Sequence, residues 1–127
     1  MDADFEQRCR ELTRQLTDNL DGAIAALVCR ADGIEIAQTQ RRPVDVARLA
    51  AVASSLGALG DAASREAGIG SPRCVLVDSS MGRLLVRCMG RGEQAVIVAL
   101  LTDAQVVLGQ VWAQLRQAES LLEGLPA

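Results

Sequence analysis

The sequence predicts an α/β (α+β) domain, one five-stranded antiparallel sheet with helices on both faces, in the chain order α-β-β-α-β-β-β-α. Three observations lead there. Two terminal segments repeat apolar residues at spacings of three and four, as helices lying on a sheet do. Five short apolar runs are separated by turn residues, among them Asp32-Gly33, Met81-Gly82 and Gly90-Arg91-Gly92. Between the second and third runs lies a helical segment whose centre, Leu49 to Gly60, carries no charge.

The first helix spans residues 4 to 20. Phe5, Cys9, Leu12, Leu16 and Leu20 form one stripe, Asp4 is the expected N-cap and Gly22 the expected helix-ending glycine. Residues 23 to 30 are nearly all apolar, the pattern of a strand buried on both faces. Asp32-Gly33 predicts a two-residue hairpin turn, which needs positive φ. Ile34 to Gln38 return as a short strand with Ile34 and Ile36 on one face. Gln40-Arg41-Arg42-Pro43 is a loop, and Asp45 caps a helix that runs to Ala67 and stops at Gly68.

Pro72 to Ser79, Arg83 to Met89 and Gln94 to Leu101 then read as three strands joined by short turns, an antiparallel meander. In the second of them Leu84, Val86 and Cys88 alternate against Arg83, Leu85 and Arg87. The third is almost wholly apolar and belongs at the centre of the sheet. Thr102 to Gln105 fits a capping box opening a last helix, from Asp103 to Glu123. Val107, Val111, Leu115, Ala118, Leu121 and Leu122 are its stripe, Trp112 lies at the stripe's edge, and Gly124 and Pro126 end it. No repeat, linker or low-complexity segment interrupts the chain, which reads as a single domain over residues 1–127.

The two terminal helices fit one face of the sheet and the middle helix the other. Val46, Leu49, Ala53, Leu56, Gly60 and Ala63 form one apolar face of the middle helix; Val52, Ser55, Leu59 and Ala62 form a second. One sheet covers one side of a helix, so the other side calls for a partner. A second copy related by a two-fold axis fits, with the small residues Ala50, Ala53, Ser54 and Gly57 permitting close approach. The expected dimer interface on this helix comprises Leu49, Ala50, Val52, Ala53, Leu56, Gly57 and Gly60.

Composition excludes more than it assigns. The chain has no His, no Tyr and no Lys, so all 13 basic residues are Arg. It lacks the usual general bases, the Lys of a Walker-type phosphate loop, and a His to activate Ser54, Ser55, Ser79 or Ser80. No catalytic residue, cofactor or metal site is therefore assigned. With a net charge of −3 and only Phe5 and Trp112 as aromatics, nucleic-acid binding is rejected. Cys9, Cys29, Cys74 and Cys88 form no C-x-x-C pair and read as reduced, buried thiols. No charge-free apolar run reaches the ~18 residues of a membrane span, and the N-terminus has no apolar signal core, so a cytoplasmic protein is expected.

Three stretches carry a family resemblance: Val28 to Ala37 with its Asp-Gly turn, the Ala-rich run Leu49 to Leu56, and the hairpin Val75-Leu76-Val77 to Leu84-Leu85-Val86 followed by Ala95 to Leu101. In that order and spacing the chain resembles the Roadblock domain family (dynein-light-chain-like), most closely its bacterial MglB-like branch. The resemblance implies a profilin-like or longin-like sheet of strand order 2-1-5-4-3. It implies a homodimer in which the third strand and the middle helix meet their counterparts, which adds Val75 and Val77 to the interface. It also implies a small Ras-like GTPase as partner, with a sensor-kinase-like protein beside it. Arg83, Arg87 and the four cysteines depart from many relatives.

The reading that follows is a non-enzymatic homodimeric adaptor that regulates a small GTPase in a bacterial signalling or polarity system. Arg41 and Arg42, in the loop before the middle helix, are the residues open to contact a GTPase or an anion. The alternative is a structural scaffold subunit of a kinase-like or motor complex with no effect on nucleotide turnover. A small-molecule sensor is weaker, because no polar cluster in the sequence marks a pocket.

Overall fold

Strand β1 (Ala23–Cys29) is buried along its whole length, as a strand covered on both faces must be. It pairs antiparallel with β2 (Glu35–Gln40) on one side and β5 (Val96–Thr102) on the other. Strand β4 (Gly82–Met89) continues the sheet beyond β5, and β3 (Val75–Ser79) forms the far edge. The order is thus β2-β1-β5-β4-β3, with the apolar β5 at the centre, and it matches the expected 2-1-5-4-3. A computed structural model describes residues 2–124 of the chain.

Helices α1 (Ala3–Asn19) and α3 (Leu108–Leu122) share one face, and α2 (Val46–Ala67) lies on the other. The larger core forms under α1 and α3. Phe5, Cys9, Leu12, Leu16 and Leu20, the whole expected stripe, are buried there against Leu85, Val98 and Leu100 of the sheet and Val111, Leu115, Ala118 and Leu122 of α3. A smaller core forms under α2 from Leu27, Cys29, Val86, Ile97 and Ala99 with Ala50 and Ala53.

Local chemistry moves several element ends. The N-cap of α1 is Asp2, whose carboxylate accepts the Phe5 amide at 2.7 Å, while Asp4 sits inside the first turn and pairs with Arg8. The helix ends at Asn19, and Gly22 lies beyond it in the turn into β1. The β1–β2 hairpin has a three-residue loop, Ala31-Asp32-Gly33, because the Arg30 amide donates to the Ile34 carbonyl and the Gly33 amide to the Arg30 carbonyl. Only Gly33 takes positive φ, +87°, so the turn needs one left-handed residue and not two. Ile34, expected as the first residue of the return strand, lies between this loop and β2 and is 55% exposed. A register shift opposite Val28 and Cys29 leaves Ile36 unpaired and packs it on the same core as Ala37, so the strict alternation expected for β2 breaks there.

The expected capping box at Thr102 does not form. Thr102 is the last residue of β5, paired with Ala23 and Arg83, and ladder pairing on both sides outweighs a local cap. Its hydroxyl donates to the Asp103 carbonyl, and the Asp103 carboxylate accepts the Gln105 amide instead. Helix α3 therefore starts five residues later than expected, at Leu108, with Val107 exposed at its N-cap. A 3₁₀ turn at Gly92–Gln94 likewise shortens the front of β5. Pro126 lies outside the described residues. Helix α2 matches its expected ends, with the Asp45 carboxylate accepting the Arg48 amide and Gly68 in left-handed conformation.

Candidate interaction surface

Helix α2 sits close to the sheet because its deepest residues are its smallest. Ala50 and Ala53 are fully buried, and Gly57 is buried against Ile97 and Cys88. At Gly60 the approach to β3 is closer still, and a Cβ there would lie 2.5 Å from Cγ2 of Val75. Ala50, Ala53, Gly57 and Gly60, expected at the contact with a partner, thus spend their small size on the chain's own sheet. Val46, Leu49, Leu56 and Val75 are half-buried around them.

The second apolar face looks outward. Val52 is 48% and Leu59 65% exposed, with Ala51, Ser55, Ala58, Ala62 and Ala63 exposed beside them. Charge enters only toward the ends, at Arg48 with Asp45 and at Asp61 with Arg65. Strand β3 adds an open sheet edge, on which Val77 shares the α2 face with Val75 while Leu76 points to the other face. Both Leu76 and Val77 are more than a third exposed. Val77, Leu84, Leu101 and Met81 line a shallow recess of about 330 Å³ on the sheet next to α2, with Arg42 at its rim. By length and composition α2 could cross a membrane, with a mean hydropathy of 1.2 over its most apolar stretch, but one side of it packs on the sheet.

The two loop arginines separate. Arg41 donates to the carbonyls of Thr17 and Leu20, the last of these at 3.3 Å, and so satisfies the C-terminal end of α1. Arg41, though exposed, thus acts as a structural clamp, whereas the Arg42 side chain makes no hydrogen bond or ion pair among the described residues. The serine hydroxyls of α2 serve the backbone too: Ser54 donates to the Ala31 carbonyl and Ser55 to the Ala51 carbonyl.

All four cysteines are free thiols, but only Cys9 and Cys29 are buried; Cys74 is half-buried and Cys88 exposed on the α2 face. The alternation of β4 that the sequence displays puts Cys88 on the face that a single helix covers incompletely. Burial pushes the Cys9 and Cys29 thiols up to about 11, with the Asp32 carboxylate adding to the shift at Cys29. Among the described residues, His, Cys, Asp and Glu form no group of three that could ligate a metal.

Sequence reading missed one cluster. Arg73, Arg87 and Arg116 surround Trp112 and Cys74 in a cleft between β4 and α3, bordering the β3 edge. These residues come from three separate segments, so no local motif signals them.

A five-stranded antiparallel sheet carrying two helices on one face and an over-apolar helix on the other is the architecture of a Roadblock-like α/β domain. The Roadblock/LC7 domain profile matches residues 10–101, and the chain belongs to that family. No curated protein matches it by sequence. Among solved structures it is similar to a Roadblock/LC7 domain from Streptomyces avermitilis, with 22% identity over 91% of this chain and 92% of that one and a TM-score of 0.77. It is similar to the gliding protein MglB of Thermus thermophilus, at 19% identity over 96% and 90% and a TM-score of 0.81. It is also similar to an MglB with tetrameric arrangement, at 20% identity over 96% and 90% and a TM-score of 0.82. At these identities the likeness is one of fold.

Proposed function

We propose that this chain is a non-enzymatic homodimeric adaptor that binds and regulates a small Ras-like GTPase in a bacterial cytoplasm. The observation that carries the dimer is the outward face of α2, where Val52 and Leu59 stand open beside the unpaired edge of β3. Two copies related by a two-fold axis would bury these residues against each other and cover two free strand edges at once. Ala50, Ala53, Gly57 and Gly60 shape that surface from beneath, by holding the helix down, while Val52, Leu59 and Val77 make the contact, flanked by Leu49, Leu56 and Val75. The fold likeness to MglB proteins, one of them with a tetrameric arrangement, agrees with a module that works by assembling.

The GTPase reading rests on the family. Such a platform regulates by binding one nucleotide state of its partner better than the other, which shifts the population of states. Arg42, beside the recess at the end of α2, is the arginine left free for that contact. The test pairs the purified protein with a small Ras-like GTPase from the same organism and measures nucleotide turnover and exchange. A change in either rate supports regulation. Stable binding with unchanged rates would replace the regulator with the structural scaffold, and no binding would overturn the GTPase partner.

A further inference from the structure

We propose that the cleft between β4 and α3 is a binding site for a small phosphate-bearing ligand. It is a recess of about 600 Å³ lined by Arg73, Cys74, Arg87, Trp112 and Arg116, well within the size of small-molecule sites. Arg73 lies just before β3, Arg87 points from β4 toward α3, and Arg116 comes from α3 itself. Three arginines thus line one recess in a chain whose net charge is −3.

The charge is not balanced from within. Arg87 pairs with Glu119 at 3.2 Å, but among the described residues Arg73 and Arg116 have no carboxylate within ion-pair distance. A local excess of two positive charges remains at the recess. The guanidinium fork matches the oxygens of phosphate and carboxylate alike. Two arginines without an internal carboxylate partner, lining one space, suit phosphate better, because it offers three terminal oxygens and up to two negative charges where a carboxylate offers two and one.

Trp112 adds a second kind of contact. Trp112 is half-buried, packed against the core beneath α3, and also lines the recess with its large apolar side chain. Cys74 brings no nucleophile, since its thiol donates to the Val75 carbonyl and burial raises its pKa. The cleft is built to hold a ligand and not to transform one. Trp112 and Arg116 place the cleft beside α3, while Arg73 and Cys74 also line a small recess against Gly57 of α2, so the cleft borders the β3 edge.

The chain supplies its own probe. Trp112 is the only tryptophan and there is no tyrosine, so intrinsic fluorescence reports on this cleft alone. Pyrophosphate, ADP and GDP are titrated separately at constant ionic strength into the full chain and into Arg73→Gln, Arg116→Gln and the double variant. Both side chains are on exposed residues, and far-UV circular dichroism checks that the variants stay folded. A saturable change in Trp112 emission that weakens roughly tenfold or more in each single variant supports the site. Binding of pyrophosphate alone assigns recognition to the phosphate oxygens, and a gain with ADP or GDP assigns the rest to the indole. Equal affinity in the double variant would overturn the proposal. So would the absence of saturable binding at millimolar ligand, or a response only to an acidic peptide such as polyglutamate.

Discussion

Leu59→Asp tests the dimer at its most exposed large apolar residue on α2. Burying a whole leucine is worth roughly 2.5 kcal/mol, so the 65% of Leu59 open to solvent represents about 1.6 kcal/mol. A two-fold axis counts that loss twice, about 3 kcal/mol, or on the order of a hundredfold in the dimer Kd before any repulsion between the carboxylates. The folded protomer loses little, because Leu59 leans mostly on solvent. Sedimentation equilibrium at several concentrations reads the Kd, and far-UV circular dichroism reads the fold. Ala53→Asp is the contrast: Ala53 is fully buried under α2, so a charge there unfolds the protomer and does not merely separate two of them. A folded Leu59→Asp variant with the parent's Kd would refute the choice of face. A parent chain that stays monomeric at micromolar concentration would refute the interface altogether.

Three further outcomes are expected. Gly60→Ala gains helix propensity of ~1 kcal/mol but forces a methyl against the stiff Val75 side chain, for a net loss of about 1 kcal/mol in urea unfolding; a double-mutant cycle with Val75→Ala shows coupling, and a stabilised Gly60→Ala would mean α2 shifts freely. Arg41→Ala removes the donor to the Thr17 and Leu20 carbonyls and lowers stability by about 1 kcal/mol, read as a drop of a few degrees in Tm, while leaving partner binding intact. Stability also falls between pH 9 and pH 11. The native Cys9 and Cys29 hold their protons up to about 11 against 9.0 for a free thiol, so their contribution is whole below pH 9 and is lost as pH rises through 11, on the order of 2 kcal/mol each. With no Lys, Tyr or His in the chain, thiols are the side chains that titrate there, so urea midpoints that stay flat to pH 10.5 would contradict the burial of both.

The fold was legible because its signals are long and mutually consistent. The α1 stripe, the all-apolar β1 and the glycine stop of α2 land where expected, and the nearly all-apolar β5 takes the centre of the sheet with its ends moved by one or two residues. The misplaced features are single residues with a nearby competitor. Asp2 and Asp4 are equally good caps by chemistry, and the backbone path chooses between them. Thr102 suits both a cap and a strand end, and pairing to two strands decides for the strand. Arg41 read as a free loop charge because its partners, the Thr17 and Leu20 carbonyls, lie more than twenty residues upstream and their need appears only when α1 ends. The arginine cleft was invisible for the same reason, since Arg73, Arg87 and Arg116 meet only through the sheet register and the docking of α3.

The middle helix carries the functional weight because of how it distributes size. A helix that serves only its own domain places its large apolar residues against the core and its small or polar ones outside. In α2 the deepest positions are Ala50, Ala53 and Gly57, and large apolar Val52 and Leu59 face out. The small inner residues bring the helix axis close to the sheet, which sharpens rather than hides the outer face. Composition alone makes such a helix resemble a membrane span, yet its inner stripe is committed to β1, β4 and β5 and its outer stripe stands beside a free β-edge. Lipid offers no hydrogen bonds to that edge, whereas a second copy offers both an apolar helix face and a matching strand. A protein partner is the one occupant that meets the needs of the helix and the edge together.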